Sequence, residues 1–579
     1  MNSLFLSARF VFGFVVTASV LLAQAGSEGA TSHVVAVNQV GYLTDYPKRF
    51  TAPVSPDGAE FSIGVARQAA TVFSGKITGH IGDFTAFHPA DADVDYVITV
   101  QGGGLAKGTS DPFAVRRHLW TERFWPATTD FMVDVRSVTG THPSAYGGGA
   151  YRDSTYYAFE APSLIMMYQA NPGVIDRSPR QIDWAADKAR VLDPNFQFDA
   201  KNPESEGVMD AVRRYYTELA PPPAAAPDVV KLVHWSYGYI LMHPASRDPS
   251  RDPLPKQIHG QHVEQFAYLL NDWAQFERWF SPEFRAQCHA FAFDHWESSG
   301  LFGVDPQWDP AKYDATASPG DELGKNLPLN PFKGRHPPGH SIVPNLMMYE
   351  LALREKRPDA PRFLEAARTQ TQWVIDRLDW SDPRTTKGHR MSEFRTMIGL
   401  VWFLQHHPEA APAGLREKIT EWARVMVSRS NNLWDFRRYD LDKHWSIPGL
   451  NEPGNLLGFT AAALAASWVV EDPQLRARLR EIAFAQTDAV FGRNPLGVAG
   501  VSFPQQGFLS VERGWPIHHT TNVCARLETT RGSISASCST EFYPYNPKGK
   551  FRHPEGWVNY NATWNVALAY AEMDQQQQR

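Results

Sequence analysis

The chain has 579 residues, with 56 Lys and Arg against 62 Asp and Glu, which gives a formal net charge of −6 at pH 7. This weak balance gives no support for a nucleic-acid partner or for attraction to an anionic membrane. The length exceeds what one small core supports, so it indicates several domains, or one large helical domain with an appendage.

The N-terminus has the pattern of a secretory signal peptide. Arg9 precedes an apolar run over 10–22, and Ala23-Gln24-Ala25 supplies small residues for cleavage. The run is short for a membrane anchor. We therefore expect residues 1–25 to be removed after Ala25, and the mature protein to be secreted or periplasmic without membrane attachment.

Short alternating runs over 34–37, 59–65 and 96–100 predict β-strands. They are separated by turn-forming residues, Pro-Asp-Gly at 56–58 and three glycines at 102–104. This pattern predicts a small β-sandwich over residues 33–116.

From about residue 118 the apolar residues recur at helical spacing. We identify about a dozen helical segments, including segments that start near Met391, Asn455 and Asn559. Twelve helices joined by alternating short and long loops can close into a double ring that carries its active-site loops at one end. We therefore predict a mainly α domain over residues 118–575.

Three cysteines are present, and none belongs to a Cys/His array with the spacing of a structural zinc site. Cys524 and Cys538 could pair in an oxidising compartment, because they flank a hairpin-like stretch over 526–537. Cys288 lies in a helical pattern, which predicts a buried thiol.

A carboxylate lies just before the last predicted helix, in the segment 554–564. Backbone N–H groups at a helix start favour the anion of Glu555, whereas an apolar wall such as Trp557 raises its pKa towards that of a general acid. A single glutamate at a helix start is more often structural than catalytic, so neighbouring motifs decide the interpretation.

Three segments together resemble glycoside hydrolase family 9, the inverting endoglucanase-like enzymes. In that family the catalytic acid opens a Glu-x-x-x-Asn-x-Asn segment, which Glu555, Asn559 and Asn561 match. The segment 37–43, Val-Asn-Gln-Val-Gly-Tyr-Leu, resembles the first strand of the immunoglobulin-like domain that often precedes the catalytic module.

The third segment, 491–497, resembles a Gly-Arg-Asn-Pro segment that follows the penultimate long helix of the family. His518 and His519 follow it, where the family has substrate-binding histidines. The resemblance implies an (α/α)6 toroid preceded by an immunoglobulin-like β-sandwich, with a carbohydrate as the substrate.

The sequence departs from the family at the catalytic base. An inverting hydrolase needs a second carboxylate about 6.5–9.5 Å from the acid, to activate water. In the family's Asp-Ala-Gly-Asp segment the second Asp is the base; here Asp153 fits the first Asp and Tyr156 stands in place of the second. Either Asp153 serves as the base, or the family's mechanism does not apply.

Two neighbours of Asp153 bear on its role. Arg152 could equally hold Asp153 in a structural ion pair. Glu160 could face the same cleft if a helix starts early enough.

Further polar clusters lie in loops between predicted helices, at 259–262, 334–340, 387–395 and 445–455. Loop and cap chemistry explains any one of them, but several ahead of successive helices indicate substrate subsites. Their basic excess hints at a substrate with carboxylates, such as a uronic-acid glycan. The candidate substrate-binding residues are His518, His519, Trp445, Asn455, Glu452, Arg390, Glu393, Tyr156, Glu160 and Trp557.

These patterns predict a glycoside hydrolase with Glu555 as general acid and Asp153 as base or water-positioning carboxylate. One alternative is a polysaccharide lyase on a uronic-acid glycan, in which Tyr156 or Tyr157 would abstract a proton and Arg or His would neutralise the carboxylate. Another is a non-catalytic glycan-binding protein on a hydrolase scaffold. We expect no cofactor, although loop carboxylates could hold a structural calcium ion.

Overall fold

The structure is a computed structural model. It describes residues 35–38, 41–52, 54–101, 108–136, 150–151, 159–195, 205–243, 260–303, 339–381, 393–432, 435, 437, 452–488, 493 and 558–578. The predicted signal peptide and the predicted Cys524–Cys538 pair lie outside these residues. Cys288 lies in a helix and is fully buried, as its pattern predicted.

The N-terminal part is a curled β-sheet, which among the described residues has eight strands in the order β1-β8-β6-β3-β4-β5-β2, with β7 on β6. All pairings are antiparallel except that of β1 with β8. The strands are β1 (Tyr42–Leu43), β2 (Arg49–Thr51), β3 (Glu60–Val65), β4 (Thr71–Thr78), β5 (Ile81–Asp83), β6 (Asp95–Gln101), β7 (Gly108–Thr109) and β8 (Phe113–Arg116).

The alternation that predicted strands at 59–65 and 96–100 is the alternation of buried and outward side chains in β3 and β6. Phe61 and Ile63 of β3 and Ile98 of β6 point into one core. The expected strand at 34–37 is reduced to a single bridge between Ala36 and Thr51. This segment is buried along its whole described length, so its apolar residues reflect burial rather than a long ladder.

The rest of the described chain is helical, and a π-helical turn at Trp120–Phe124 leads into the first helix. The helices are α1 (Trp125–Asp134), α2 (Glu160–Ala170), α3 (Pro172–Asp176), α4 (Trp184–Val191), α5 (Ser205–Glu218), α6 (Asp228–Met242), α7 (Gly260–Asn271), α8 (Trp273–Phe276), α9 (Pro282–His295), α10 (Ile342–Arg354), α11 (Ala360–Arg377), α12 (Glu393–His406), α13 (Leu415–Arg429), α14 (Glu452–Val469), α15 (Pro473–Asp488) and α16 (Val558–Gln577).

Within the described chain, twelve of these helices form two concentric rings. The inner ring consists of α2, α7, α10, α12, α14 and α16; each contacts the next, and α16 closes the ring against α2. The outer ring consists of α1, α6, α9, α11, α13 and α15. Each inner helix packs against the outer helix that follows it in the chain, and α16 packs against α1. This is an (α/α)6 toroid, as the helical pattern predicted.

Small residues allow the closest packing in the toroid, around α14. Its centre carries Ala461, Ala463 and Ala465, which are fully buried. Side chains without branches let helix backbones approach closely, and α14 packs extensively against both α15 and α16. Among the residues that the structure describes, no helix is long and apolar enough to cross a membrane.

The two ends of the toroid differ in their connections. Connections before the inner helices are long: they cover 135–159, 243–259, 296–341, 378–392, 430–451 and 489–557. Connections at the opposite end are short at 272–281, 355–359, 407–414 and 470–472, although 171–227 is long and contains α3, α4 and α5. We call these the long-loop end and the short-loop end. The predicted alternation of long and short loops therefore holds for most of the chain.

The β-sheet docks on the toroid through residues of two of the sequence motifs. Asn38 Nδ2 donates a hydrogen bond of 2.8 Å to Asp488 Oδ1 at the end of α15. The fully buried Arg493 donates to Thr51 Oγ1 at 3.1 Å and pairs with Asp435 at 3.1 Å. Asn38 and Arg493, from the segments 37–43 and 491–497, therefore both lie at the interface between sheet and toroid.

Candidate active site at the long-loop end

Most of the predicted site residues lie outside the described residues, namely Asp153, Tyr156, Arg390, Trp445, His518, His519, Glu555 and Trp557. The backbone of the other four is described. Glu160 opens α2, Glu393 opens α12, and Glu452 and Asn455 lie in the first turn of α14. These helix starts belong to the inner ring, so the four positions lie at the long-loop end.

Glu160 is a buried carboxyl group at the start of α2. Its Oε2 accepts a hydrogen bond of 3.1 Å from the Phe159 N–H, and its Oε1 accepts none from any residue that the structure describes. Burial raises the pKa of Glu160 to about 8, although the Phe159 N–H and the charge of Arg395 oppose the rise. The carboxyl group is therefore largely protonated at neutral pH.

The sequence left open a helix that starts early enough to carry both Asp153 and Glu160, and the structure contradicts this. Phe159 has a non-helical backbone, with φ −152° and ψ 11°, and α2 begins only at Glu160. Asp153 precedes Glu160 by seven residues, so the two are not separated by two turns of one helix. The site role of Glu160 remains a prediction that does not rest on that spacing.

Glu264, in the first turns of α7, is the centre of a buried polar cluster. Its Oε1 accepts from Arg395 Nη2 at 3.0 Å. Its Oε2 lies 2.5 Å from His340 Nδ1 and accepts from Ser341 Oγ at 3.2 Å. Burial alone would raise the pKa of Glu264, but His340 and Arg395 outweigh it and hold the pKa below its ordinary value. Glu264 is therefore an anion. Its contacts join α7 to α12 and to the two residues that precede α10.

Arg395 extends this cluster across the centre of the ring. It lies on α12, opposite α2 in the order of inner helices. Its guanidinium carbon lies 4.3 Å from the ring centroid of Phe159, and Tyr268 meets the same ring edge-on at 5.7 Å. A cation over an aromatic face is stabilising, most of all where water is excluded. Glu160, Phe159, Glu264 and Arg395 thus form a buried layer beneath the long-loop end.

The sequence indicated part of this cluster and missed its centre. His340 and Arg395 belong to two of the polar clusters predicted ahead of successive helices. Glu264 follows the cluster at 259–262 but was not singled out. The available signal was a carboxylate directly after Val263 and just ahead of the apolar run 266–270, because a charge on a buried face needs a partner.

The described residues contain no group of three His, Cys, Asp or Glu that could hold a metal ion. The acids of the buried layer are already bonded to protein cations or protonated, so their chemistry is that of a scaffold.

No family model matches the sequence, and no curated protein sequence matches it. Solved structures do match. AaCel9A in complex with cellobiose-like isofagomine has a TM-score of 0.55 at 13% identity, with 93% of this chain and 99% of that chain covered. A Bacteroides ovatus GH9 structure has a TM-score of 0.53 at 13% identity, with 94% and 99% covered.

A Zn-binding triple mutant of the GH family 9 endoglucanase J30 has a TM-score of 0.51 at 14% identity, with 92% of this chain and 100% of that chain covered. Matches at such low identity report on the fold, and they extend over nearly the whole of each chain. The chain therefore has the fold of family 9 glycoside hydrolases, a β-sheet domain followed by an (α/α)6 toroid, as the sequence motifs predicted.

Proposed function

We propose that the protein is a secreted glycoside hydrolase that cleaves a polysaccharide or oligosaccharide with inversion. Glu555 is the general acid, and Asp153 is the base or the carboxylate that positions water. The fold shared with family 9 structures supports this proposal, and one of them holds a cellobiose-like ligand. A carbohydrate substrate is accordingly proposed for this chain.

The observation that carries the proposal is the contact between α16 and α2 in the inner ring. Glu555 is three residues ahead of α16, and Asp153 is seven residues ahead of α2. Both helices start at the long-loop end. An extended residue spans at most about 3.3–3.6 Å, so Glu555 can lie no more than about 11 Å from the start of α16.

On the N-terminal side of Asp153, the position of the chain is fixed at Tyr151. The hydroxyl of Tyr151 bonds to Leu232 O at 3.1 Å and lies 2.9 Å from Ser236 Oγ, and Tyr151 forms a bridge to Arg136. Two residues of chain limit Asp153 to about 7 Å from Tyr151. These tethers are compatible with the separation of about 6.5–9.5 Å that an inverting pair requires.

The candidate subsite residues extend this proposal around the same end. Glu393 opens α12 and Glu452 opens α14, and Arg390 immediately precedes α12. His518 and His519 belong to the connection that leads into α16. Every one of these connections enters the ring from the long-loop end, as residues of one cleft must.

The test is product analysis on a panel of neutral and uronic-acid polysaccharides with the wild type, Glu555→Gln and Asp153→Asn. Loss of the acid should lower turnover by about 10²–10⁴-fold. NMR of fresh product should show the inverted anomer. Glu218→Gln and Asp210→Asn on α5 are matched controls, because those carboxylates pair with Arg214 far from the inner ring, and they should retain full activity.

The same experiment separates the alternatives. Unsaturated products that absorb in the ultraviolet would identify a lyase, for which Tyr156 is the candidate base. Glycan binding without turnover, unchanged in Glu555→Gln, would identify a binding protein. Either result would overturn the hydrolase.

A further inference from the structure

A cavity opens at the short-loop end, on the opposite side of the toroid from the proposed catalytic cleft. Every helix of the inner ring contributes at least one residue from its C-terminal half, and the α7–α8 junction completes the wall. Val343 and Ile398 come from the N-terminal halves of α10 and α12, so the cavity extends into the ring. The residues that line it are Met166, Gln169, Tyr268, Asn271, Asp272, Gln275, Val343, Met347, Glu350, Ile398, Trp402, Gln405, His406, Trp468, Tyr570, Met573, Gln576 and Gln577.

The cavity has the size and shape of a small-molecule site. Its volume is about 570 Å³, within the range of about 300–1,000 Å³ that is usual for ligand pockets. Its deep part is formed by the buried side chains of Tyr268, Met347 and Tyr570. Exposed polar residues, among them Gln405 and Gln576, lie at its mouth. A ligand could therefore enter from solvent and bury an apolar face.

The charges around this cavity favour a cation. Of the described residues that line it, Asp272 and Glu350 carry carboxylates and none is a lysine or an arginine. The C-terminal end of each inner helix adds a partial negative charge. Outside the lining, His407 and Arg354 approach Glu350 at 3.0 and 4.0 Å and offset part of its charge.

Burial and the charge of Glu350, opposed by Arg354, raise the pKa of Asp272 to about 7. No described residue forms a salt bridge with it, and its buried Oδ2 accepts no hydrogen bond from the part of the chain that the structure describes. Gln275 Oε1, one helical turn further on, is also buried without a described donor. Both oxygens lie beneath the surface of the cavity, so a ligand would contact the more accessible parts of these two partly buried side chains.

Two aromatic pairs supply the apolar wall. The ring of Trp402 stacks on His406 at 3.9 Å, and the ring of Trp468 stacks on Tyr570 at 5.4 Å. Both indoles are only partly buried. Indole faces attract ammonium groups and the C–H faces of compact polar molecules.

From the carboxyl groups of Asp272 and Glu350, the absence of a lysine or arginine among the described lining residues and the aromatic wall, we infer that this cavity binds a small organic ammonium compound, with Asp272 as its counter-ion. An ammonium group supplies the positive charge that the described lining residues lack. The two sources of this chemistry are an amino sugar and a simple amine. The inference concerns a second site and does not depend on cleavage of any glycan.

The test is calorimetric titration of the full-length protein at about pH 7, where an amine is largely protonated. The probes are glucosamine, glucose and ethanolamine. Glucose is the neutral counterpart of glucosamine, and ethanolamine is an ammonium compound without a sugar ring. Glucosamine should bind at least tenfold more tightly than glucose, and added salt should weaken it. Ethanolamine binding as tightly as glucosamine would assign the site to simple amines.

Three variants locate the site. Asp272→Asn keeps the side-chain shape but removes the charge, and Trp402→Leu removes the aromatic face; each should weaken glucosamine binding at least tenfold. Asp376→Asn, an exposed aspartate on the outer helix α11, is the matched control and should bind as the wild type does.

Glu555→Gln should also leave glucosamine binding unchanged, which separates this site from the catalytic cleft whether or not the protein proves to be a hydrolase. Equal binding of glucose and glucosamine, no binding of either ammonium probe at millimolar concentration, or wild-type affinity in Asp272→Asn would each overturn the inference. If Trp402→Leu fails to fold, Asp272→Asn alone tests the inference.

Discussion

Asn38 and Asp488 are joined by a hydrogen bond of 2.8 Å, although 450 residues separate them in the chain. Burial raises the pKa of Asp488 to about 7, and the Asn38 amide and Arg493 oppose that rise. Both Asn38 and Arg493 belong to motifs that carried the resemblance to family 9. In this molecule the two motifs hold the β-sheet against the toroid, which is a structural role.

Arg493→Met should weaken this docking strongly. The guanidinium is fully buried and pairs with Asp435, which also pairs with Arg49 at 3.2 Å and Arg478 at 2.6 Å. Removing one partner of a buried ion pair costs about 3–5 kcal/mol, because the other charge loses its compensation. Arg49 and Arg478 still pair with Asp435 in the variant, so the loss of stability should lie at the lower end of this range. Urea denaturation of the variant and the wild type measures this loss.

Arg362→Met is the control for that experiment. Arg362 pairs with Glu297 at 2.8 Å, but both side chains are largely exposed. Exposed pairs contribute little to stability, so this variant should unfold close to the wild-type midpoint. Equal midpoints for Arg493→Met and Arg362→Met would show that the buried pair does not hold the two parts together.

Glu160→Gln should stabilise the protein increasingly as pH rises. The folded-state pKa of Glu160 is about 8 against an ordinary value of 4.5, so the folded state holds its proton where the unfolded state has lost it. Stability therefore falls between pH 4.5 and about pH 8, by at most about 1.4 kcal/mol per pH unit. Glutamine keeps the neutral form at every pH.

The measurement is thermal unfolding of wild type and Glu160→Gln across this window. The midpoint of the variant relative to the wild type should rise from acid to alkaline pH. A difference that is constant over the window would mean that Glu160 titrates normally in the folded protein.

Glu264→Gln and Glu355→Gln form a matched pair that isolates burial. Each glutamate pairs with one arginine and one histidine: Glu264 with Arg395 and His340, Glu355 with Arg285 and His289. Glu264 accepts in addition from Ser341. Glu264 is fully buried, whereas a quarter of the Glu355 side chain is exposed. We expect a loss of about 3–5 kcal/mol for Glu264→Gln and at most about 1 kcal/mol for Glu355→Gln.

Chemical denaturation of both variants gives the comparison, and double variants with Arg395→Met and Arg285→Met measure the coupling within each pair. Similar losses at the two positions would contradict the view that the buried layer stabilises the inner ring.

Helices that follow a polar segment could be predicted from the sequence, whereas α6 was not identified from it. The starts expected near 391, 455 and 559 lie at 393, 452 and 558, because each of those helices follows a polar loop. Every residue of α6 is buried, so its sequence lacks the polar face that marks an amphipathic helix. Burial on all sides thus removes the signal that periodicity provides.

The buried layer was harder to predict for a different reason. His340, Arg395 and Glu264 come from three separate segments, and their meeting depends on which helices are neighbours in the ring. The sequence marked the first two as polar residues before helices. It could not show that Arg395 reaches across the ring to Phe159, because nothing in local spacing encodes a contact between residues that are 236 positions apart (395 − 159).

Two glycines in helix interiors allow a last prediction about how tightly the rings are packed. A Cβ at Gly238 of α6 would lie 2.5 Å from Tyr215 Cε2 and 2.9 Å from Leu219 Cδ1. The Tyr215 ring has little freedom to move, because its hydroxyl lies 2.6 Å from His234 Nδ1. Gly238→Ala should therefore cost about 1–3 kcal/mol through overpacking, which exceeds the gain of about 1 kcal/mol in helix propensity.

At Gly399 of α12 the same substitution meets ordinary contacts, with Val343 Cγ2 nearest at 3.7 Å. Gly399→Ala should be neutral or stabilise by up to about 1 kcal/mol, since only the helix propensity changes. Thermal unfolding of the two variants should therefore move the midpoint in opposite directions. If Gly238→Ala were as stable as Gly399→Ala, α5 would be free to shift away from α6, and α5 would not be fixed to the outer ring as it is here.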